Sequence, residues 1–316
     1  MPAPRRRPTN TRPRRRYTTR RRNRRSAGRS FLLILLFLTG FALLYTFGGE
    51  RFFGSNDTAR PVSGYMHVHF IDVGQGHATL IQSPTHAVLI DGGEPRYGTH
   101  VVSYLRNAGV TRLDYVIATH PHSDHIGGLI QVLNQMEVGT VIMPDATNNT
   151  LTFERFMEAI LNHNHQTRFV SAGDRLTAGD IDLAVLGPIL RDTPWPVNQL
   201  NNASVVLHMQ HGDMSFLFTG DVERTGEEAI LANFRNIRAD VLHVSHHGSN
   251  TSTTQAFLDA VSPLVAVISS GESNQHGHPH PAVLARLEAA NVRILRNDEL
   301  GDIVLQSTGT YIRLLD

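Results

Sequence analysis

The sequence predicts an α+β domain in which two β-sheets face each other and helices cover their outer faces. Two observations carry that prediction. Short β-branched and aromatic runs recur from Met66 to the end of the chain, and in both halves they come in groups punctuated by helical stretches. A third observation concerns chemistry: His and Asp clusters follow directly on several of these runs, at the strand ends where such sheets tend to carry their sites.

Taken in order, strands are expected at 67–74 and 78–81 as a pair, then at 87–90, ending at Asp91-Gly92-Gly93. A helix near 98–108, a strand at 114–118, a helix near 126–135, a strand at 140–143 and a helix near 152–163 follow. In the last of these, Phe153, Phe156, Ile160 and Leu161 are read as one apolar face. The second half repeats the logic with strands at 181–186, 204–209 and 215–219 and a helix near 224–234. Two strand-to-helix units at 240–260 and 264–290 precede closing strands near 292–296, 302–306 and 310–314. A body of this length with 41% apolar residues in the whole chain can bury a sizeable core.

The N-terminal part is of another kind. Thirteen of the 29 basic residues fall within positions 1–29, all Arg, and no acidic residue precedes Glu50. From residue 50 onward the balance is therefore 29 − 13 = 16 basic against 28 acidic, or −12, so the formal +1 of the chain combines a basic tail with an acidic body. Between them, residues 30–49 carry no charge, and twenty residues at ~1.5 Å rise span the ~30 Å core of a bilayer. The Arg-rich flank predicts a cytoplasmic tail at 1–29, a transmembrane helix at 30–49, a juxtamembrane linker at 50–64 and an extracytoplasmic domain at 65–316. A cleaved signal peptide is the alternative, but no small-residue cleavage pattern follows the span. With no cysteine, disulfides and thiolate ligands are excluded, so any metal must be held by His, Asp and Glu.

The most informative stretch is Thr119-His120-Pro121-His122-Ser123-Asp124-His125-Ile126-Gly127-Gly128, which places three imidazoles and a carboxylate directly after the strand at 114–118. Side chains two apart on an extended loop leave on the same side, so His120 and His122 can share one metal while Asp124 and His125 turn toward a second. The Gly-Gly that follows frees the backbone to begin the next helix. Further candidates are Gly220-Asp221, His243-Val244-Ser245-His246-His247-Gly248-Ser249 and Gly277-His278-Pro279. Taken singly these are ordinary: a turn, a packed His pair, the start of a helix. Their joint occurrence after the His-x-His-x-Asp-His loop points to one shared site.

With Asp72-Val73-Gly74-Gln75-Gly76, Asp91-Gly92-Gly93 and Asn201-Asn202-Ala203-Ser204 added, the pattern resembles the metallo-β-lactamase-fold hydrolases. Within that superfamily it is similar to the C-terminal hydrolase domain of ComEC-type competence proteins, over about 66–315. The resemblance implies a four-layer αββα sandwich with two divalent ions, zinc as the first expectation and manganese as the alternative. Carried over, His120 and His122 bind the first metal, Asp124, His125 and His278 the second, and Asp221 bridges them. Such a pair holds a hydroxide between its ions and lowers its pKa toward neutrality. Asp124 can orient it as general base, while His246 and His247 contact the substrate phosphate or donate a proton to the leaving group. Asp72 and Asp91 would fix the ligand loops, and Asn201, Asn202, Ser204 and Ser249 are further candidates for supporting the ligands or touching substrate. Many members of the superfamily have a His ligand where this chain has the Asn pair, a feature of the ComEC-like branch that leaves the first metal short of a third His. His77 also departs from that branch, which usually has an acidic residue there.

The expected function is a membrane-anchored, extracytoplasmic phosphodiesterase or nuclease, with DNA as a candidate substrate and competence or uptake machinery as candidate partners. The acidic body argues against strong non-specific DNA affinity. Two alternatives are an esterase of cell-wall phosphodiesters, such as phosphorylcholine or teichoic-acid esters, and a catalytically silent ligand-binding module. Nothing in the sequence points to a β-lactam pocket.

Overall fold

The computed structural model describes residues 64–315. The expected tail at 1–29, span at 30–49 and nearly all of the linker at 50–64 lie outside the described residues. Among the described residues no helix is long and apolar enough to cross a membrane.

Two sheets are built from strands whose burial follows their place. The first contains β1 (Met66–Phe70), β2 (Thr79–Gln82), β3 (Ala87–Ile90), β4 (Arg112–Ile117), β5 (Glu137–Met143) and β6 (Gln166–Phe169). It is completed by β14 (Ile303–Ser307) and β15 (Ile312–Leu315), in the order β15-β14-β1-β2-β3-β4-β5-β6. Pairing is antiparallel from β15 to β3 and parallel from β3 to β6. The second sheet contains β7 (Arg175–Ala178), β8 (Ile181–Gly187), β9 (Val206–His211), β10 (Met214–Phe218), β11 (Val241–His243), β12 (Val265–Ile268) and β13 (Arg293–Arg296), in the order β13-β12-β11-β10-β9-β8-β7. Here pairing is antiparallel from β7 to β10 and parallel from β10 to β13. In each sheet the parallel strands therefore end at one edge, and their following loops collect there.

Helices α1 (Gly98–Asn107), α2 (Ser123–Ile126), α3 (Leu129–Gln135) and α4 (Leu151–Asn162) connect the strands of the first sheet. Val101, Leu105, Val132 and Phe156 pack on Leu89, Val116 and Val141 of its outer face. Helices α5 (Arg224–Asn233), α6 (Gln255–Val261) and α7 (Pro281–Ala289) do the same for the second sheet, with Ile230, Phe257 and Leu287 set against Leu217, Leu242 and Ala266. Between the sheets lies a third apolar layer, in which Phe216 and Phe218 stack at 6.3 Å and Phe70 approaches Phe218 at 6.4 Å. The result is the helix–sheet–sheet–helix sandwich expected from the sequence.

Several expectations are corrected. β6 and β7 lie outside the expected strands: β6 is exposed along its whole length at a sheet edge, so it lacks the apolar run that marks a strand, and β7 is a short edge strand of four residues. The first strand stops at Phe70 rather than 74, because Asp72 accepts the Gly74 N–H at 2.9 Å and turns the chain. The helix expected at 126–135 is two helices, α2 and α3, parted at Gly127-Gly128. Those glycines serve close packing: a Cβ on Gly128 would lie 1.9 Å from the Gly92 carbonyl oxygen. Leu161 does not share the α4 face, being 72% exposed; it lies five residues past Phe156, about 140° around the helix.

This assignment predicts unequal costs for two truncations. Phe216→Ala, at a fully buried site, should lower the unfolding free energy by about 3–5 kcal/mol, whereas Leu161→Ala should change it by less than about 0.5 kcal/mol. Urea denaturation of the two variants checks this, and equal losses would contradict the layer assignment.

Candidate metal centre

The loop after β3 carries Asp91 in a left-handed conformation, φ 58°, and with no exposure. Its Oδ1 accepts the Thr119 N–H at 2.8 Å, and its Oδ2 accepts the Thr119 hydroxyl and the His125 Nδ1–H, both at 2.7 Å. One carboxylate thus fastens the exit of β3 to both ends of the His-rich loop after β4. Because His125 donates through Nδ1, its Nε2 is the atom turned inward. His247 is held in the same way: Nδ1 donates to the Ser269 carbonyl at 2.9 Å, leaving Nε2 3.2 Å from Asp124 Oδ2 and 3.6 Å from Asp221 Oδ2. His125 Nε2 lies 3.2 Å from Asp221 Oδ2 and 3.7 Å from Asp124 Oδ2.

Asp124, His125, Asp221 and His247 consequently offer four ligand atoms within 4.8 Å of one another. Two buried atoms there, His125 Nε2 and Asp221 Oδ1, have no hydrogen-bond partner. Buried polar atoms are normally satisfied. Two imidazole nitrogens of fixed tautomer facing two carboxylates suit a divalent cation, and with no cysteine in the chain the donors are N and O only. Beside the quartet, His120 Nε2 and His122 Nδ1 approach to 2.9 Å, and His120 Nε2 is 3.8 Å from Asp221 Oδ2. Asp221 therefore stands between that His pair and the other members of the quartet.

The electrostatics of the site follow from this crowding. Burial opposes charge on His125, but Asp221, Asp91 and Asp124 outweigh it and raise its pKa well above 6.5. His247 is raised as well, with burial again overcome by Asp221 and Asp124. Burial also works against Asp221 and Asp124, yet the neighbouring His125 and His247 hold both carboxyls below the usual range. His120 moves the other way, pushed well below 6.5 by burial and then by His125.

The remaining residues support this geometry from behind. The loop after β10 is fixed by Ser204, whose Oγ accepts the Asp221 N–H at 3.0 Å. Ser245 donates to the Val222 carbonyl at 2.6 Å, tying the loops after β10 and β11 together. His246 and His247 are consecutive left-handed residues, φ 51° and 54°, a conformation that costs about 1–2 kcal/mol each for non-glycine residues. The following segment is gripped from two helices. Glu227 of α5 accepts the N–H groups of Thr253 and of Thr254, the latter at 2.9 Å, while Arg286 of α7 donates to the Thr253 and Ser252 carbonyls. Burial raises the Glu227 carboxyl, countered by those backbone N–H groups and by Arg286. Within the gripped segment, Thr251 Oγ1 lies 3.2 Å from His246 Nδ1.

The comparisons place this arrangement. A family model described as the metallo-beta-lactamase superfamily matches residues 71–272. The chain belongs to that superfamily. It is 35% identical over 260 residues to ComE operon protein 3 of Bacillus subtilis (strain 168), covering 77% of this chain and 33% of that protein. It is 34% identical over 232 residues to competence protein ComA of Neisseria gonorrhoeae, covering 73% and 30%. The chain thus spans about a third of the length of these curated relatives. Among solved structures, Igni18, a metallo hydrolase from Ignicoccus hospitalis, aligns with a TM-score of 0.52 at 14% identity, covering 76% of this chain and 98% of that one; this shows the fold. As a metallo-β-lactamase-fold protein with a His/Asp cluster, the chain is a metal-dependent hydrolase related to competence proteins.

Within that superfamily frame, the structure brings His120, His122, Asp124, His125 and Asp221 together and adds His247 to the quartet. His278, assigned from the resemblance to the second metal, lies outside the quartet; its ring stands 6.2 Å from that of His247 and 5.6 Å from that of His246. Asn202 is engaged elsewhere, its Oδ1 accepting the N–H groups of Glu223 and Gly226 at 3.0 Å at the start of α5. Asn201 donates to Glu223 at 3.3 Å and keeps a buried Oδ1 without a partner. Ser249 bonds Thr251 at 3.0 Å within the turn. Asp72 shapes the loop carrying Gln75, whose Nε2 reaches His278 Nδ1 at 3.5 Å. His77 is buried among the rings of His125, His243 and His247 at 4.3–4.9 Å. Glu227 and Thr251 carry no sign in the sequence of the loop they hold, and Arg286, which the sequence offers only as part of a local basic patch with Arg293 and Arg296, is turned to the Ser252 and Thr253 carbonyls.

The raised pKa values of His125 and His247 fix a pH dependence for the metal-free protein. Their contribution to stability is complete below about pH 6.5 and is lost as pH rises through the folded values. Metal binding requires the neutral rings, so affinity runs the opposite way and increases with pH. Above about pH 7.5 the histidines with lowered pKa values, His120 and His278 among them, are neutral in both folded and unfolded chains. Thermal unfolding in chelator between about pH 7.5 and 9, beside zinc titration over the same range, should therefore give these two opposed trends; a melting temperature in chelator that rises across that range would contradict the assigned protonation.

Proposed function

We propose that this domain is a metal-dependent phosphodiesterase that cuts nucleic acid outside the cell membrane, held there by the apolar segment at 30–49. The observation that carries the hydrolytic centre is Asp221, whose Oδ2 lies within 3.8 Å of His120, His125, His246 and His247, so that one carboxylate oxygen faces two neighbouring ligand sets. That placement supports a pair of divalent ions, zinc ahead of manganese. Bound there, such a pair neutralises phosphate charge and activates water at neutral pH. It also supplies local positive charge to a body whose formal balance from residue 50 onward is −12.

The chain's own groups divide the remaining work. Asp124 is partly exposed, with a side chain at 29%, and is the carboxylate placed to take a proton from an attacking water. His246 is partly exposed, with a side chain at 21%, held through Nδ1 by Thr251 and facing Glu223 at 3.5 Å. It is the residue placed to protonate the departing oxygen. His278 is lowered to about 4 by burial and then by His247 and His246, so it stays neutral and meets the phosphate as a hydrogen-bond partner. Relation to proteins named for competence supports nucleic acid as the substrate class and uptake machinery as the setting.

The test uses the full chain in detergent with Zn²⁺ or Mn²⁺, assayed on single-stranded DNA, plasmid DNA and p-nitrophenyl phosphorylcholine. Cleavage of DNA is expected, with a loss in His120→Ala of at least about 100-fold, beyond the ~10–100-fold typical of residues that only orient a ligand. Turnover confined to the choline ester would replace the nuclease reading with a cell-wall esterase, and no turnover of any phosphodiester would reject both.

A further inference from the structure

A cavity of about 500 Å³ lies beside the metal centre, within the ~300–1,000 Å³ range of small-molecule sites. Its floor comes from the residues that follow β5 and β6, namely Asp145–Thr147 and Val170–Ser171, and its wall from residues 188–195. The His-rich loop follows β4, and β4, β5 and β6 are consecutive parallel strands. The cavity therefore lies on the same sheet edge as the ligands, at the next two strands along. Asn148 joins the two places, donating from Nδ2 to the Pro121 carbonyl at 2.9 Å. On the other side Trp195 packs with Leu200 and Ala203, in the turn that leads into Ser204 and so to the Asp221 N–H.

The lining narrows the ligand class. The Arg191 guanidinium lies 4.5 Å above the Trp195 ring, and Phe169 and Leu190 stand beside it with 56% and 78% exposure. A guanidinium resting on an indole is a flat, cationic stacking surface. A nucleobase attached to a phosphate matches both properties. A quaternary ammonium would meet a positive charge at the aromatic face it seeks, and a polyol has no planar face to cover. The carboxylates of Asp145 and Asp192 at the rim are acceptors for the N–H groups of a base edge.

We propose that this cavity is the subsite for a nucleoside of the phosphodiester, with the base stacked on the Arg191–Trp195 pair while the linked phosphate lies at the metal centre. The inference rests on the phosphodiesterase reading and specifies its substrate as a nucleotide rather than a choline or polyol ester.

Trp195 is the single tryptophan of the chain, so its fluorescence reports on this cavity without any turnover. In the full chain treated with chelator, thymidine 5′-monophosphate should quench that fluorescence saturably, while phosphorylcholine and inorganic phosphate at equal concentration should not. Arg191→Ala should weaken the nucleotide effect roughly 3- to 30-fold, the span of cation–π and stacking contacts. A second variant, Phe169→Ala on the exposed edge strand, guards against a local rearrangement of the 188–195 segment and should weaken it as well. In the metal-loaded protein, both substitutions should raise KM for p-nitrophenyl thymidine 5′-phosphate several-fold, with kcat and the turnover of methyl p-nitrophenyl phosphate unchanged. Quenching by phosphorylcholine equal to that by the nucleotide, or equal losses on both esters, would overturn the subsite. Absence of turnover of both esters in the unsubstituted protein would refute the phosphodiesterase reading instead, leaving the fluorescence titration to decide whether the cavity binds a nucleotide.

Discussion

The buried carboxylate of Asp91 is the constraint on which the site depends. It is fully enclosed, at the end of β3, and its hydrogen bonds go to the loop after β4: the Thr119 N–H and hydroxyl and the His125 Nδ1–H. A buried anion is costly unless paired and hydrogen-bonded, and this one is satisfied only when the His-rich loop is docked in a single register. That docking selects the His125 tautomer with Nε2 facing Asp221 and Asp124. The second sheet contributes by the same logic through the Ser269 carbonyl, which fixes His247 from its own strand end. Fold and site are thus one arrangement: two sheets whose parallel strands end at a common edge, each presenting a histidine whose ring is oriented from behind.

The loops that carry Asp221 and the His246-His247 turn are held by backbone-directed side chains rather than by apolar packing alone. Ser204, Ser245 and Thr219 bind main-chain groups across the loops after β10 and β11, and Glu227 and Arg286 grip the segment beyond. Two successive left-handed His residues need such support, since each gives up backbone energy that only surrounding contacts recover. The turn leaves His247 buried in the quartet and His246 partly exposed, so that adjacent residues meet different surroundings.

Much of this was legible in the sequence because it rests on local patterns. The β-branched runs located most strands to within two or three residues, and the spacing of His120, His122, Asp124 and His125 marked the loop from which Asp124 and His125 enter the quartet. What escaped had no local signature. β6 is an exposed edge strand without alternation, the Gly127-Gly128 pair answers to a close approach of Gly92, and the Glu227–Arg286 grip joins residues from three segments. Which nitrogen of His247 faces the quartet cannot be read from motif order, because a distant carbonyl orients the ring. Asn201 and Asn202 likewise look equivalent in sequence, yet only Asn202 is consumed by the first turn of α5.

The measurement that bears most directly on this account is the zinc affinity of Asp91→Asn, by chelator competition, with unfolding monitored in parallel. An amide keeps an acceptor for the Thr119 N–H but can offer an N–H to His125 Nδ1, which favours the tautomer with the proton on the ligating Nε2. The account predicts an affinity lower by about 10–100-fold in a protein that still unfolds cooperatively. An affinity equal to that of the unsubstituted protein would contradict the claim that Asp91 orients the metal-binding histidine.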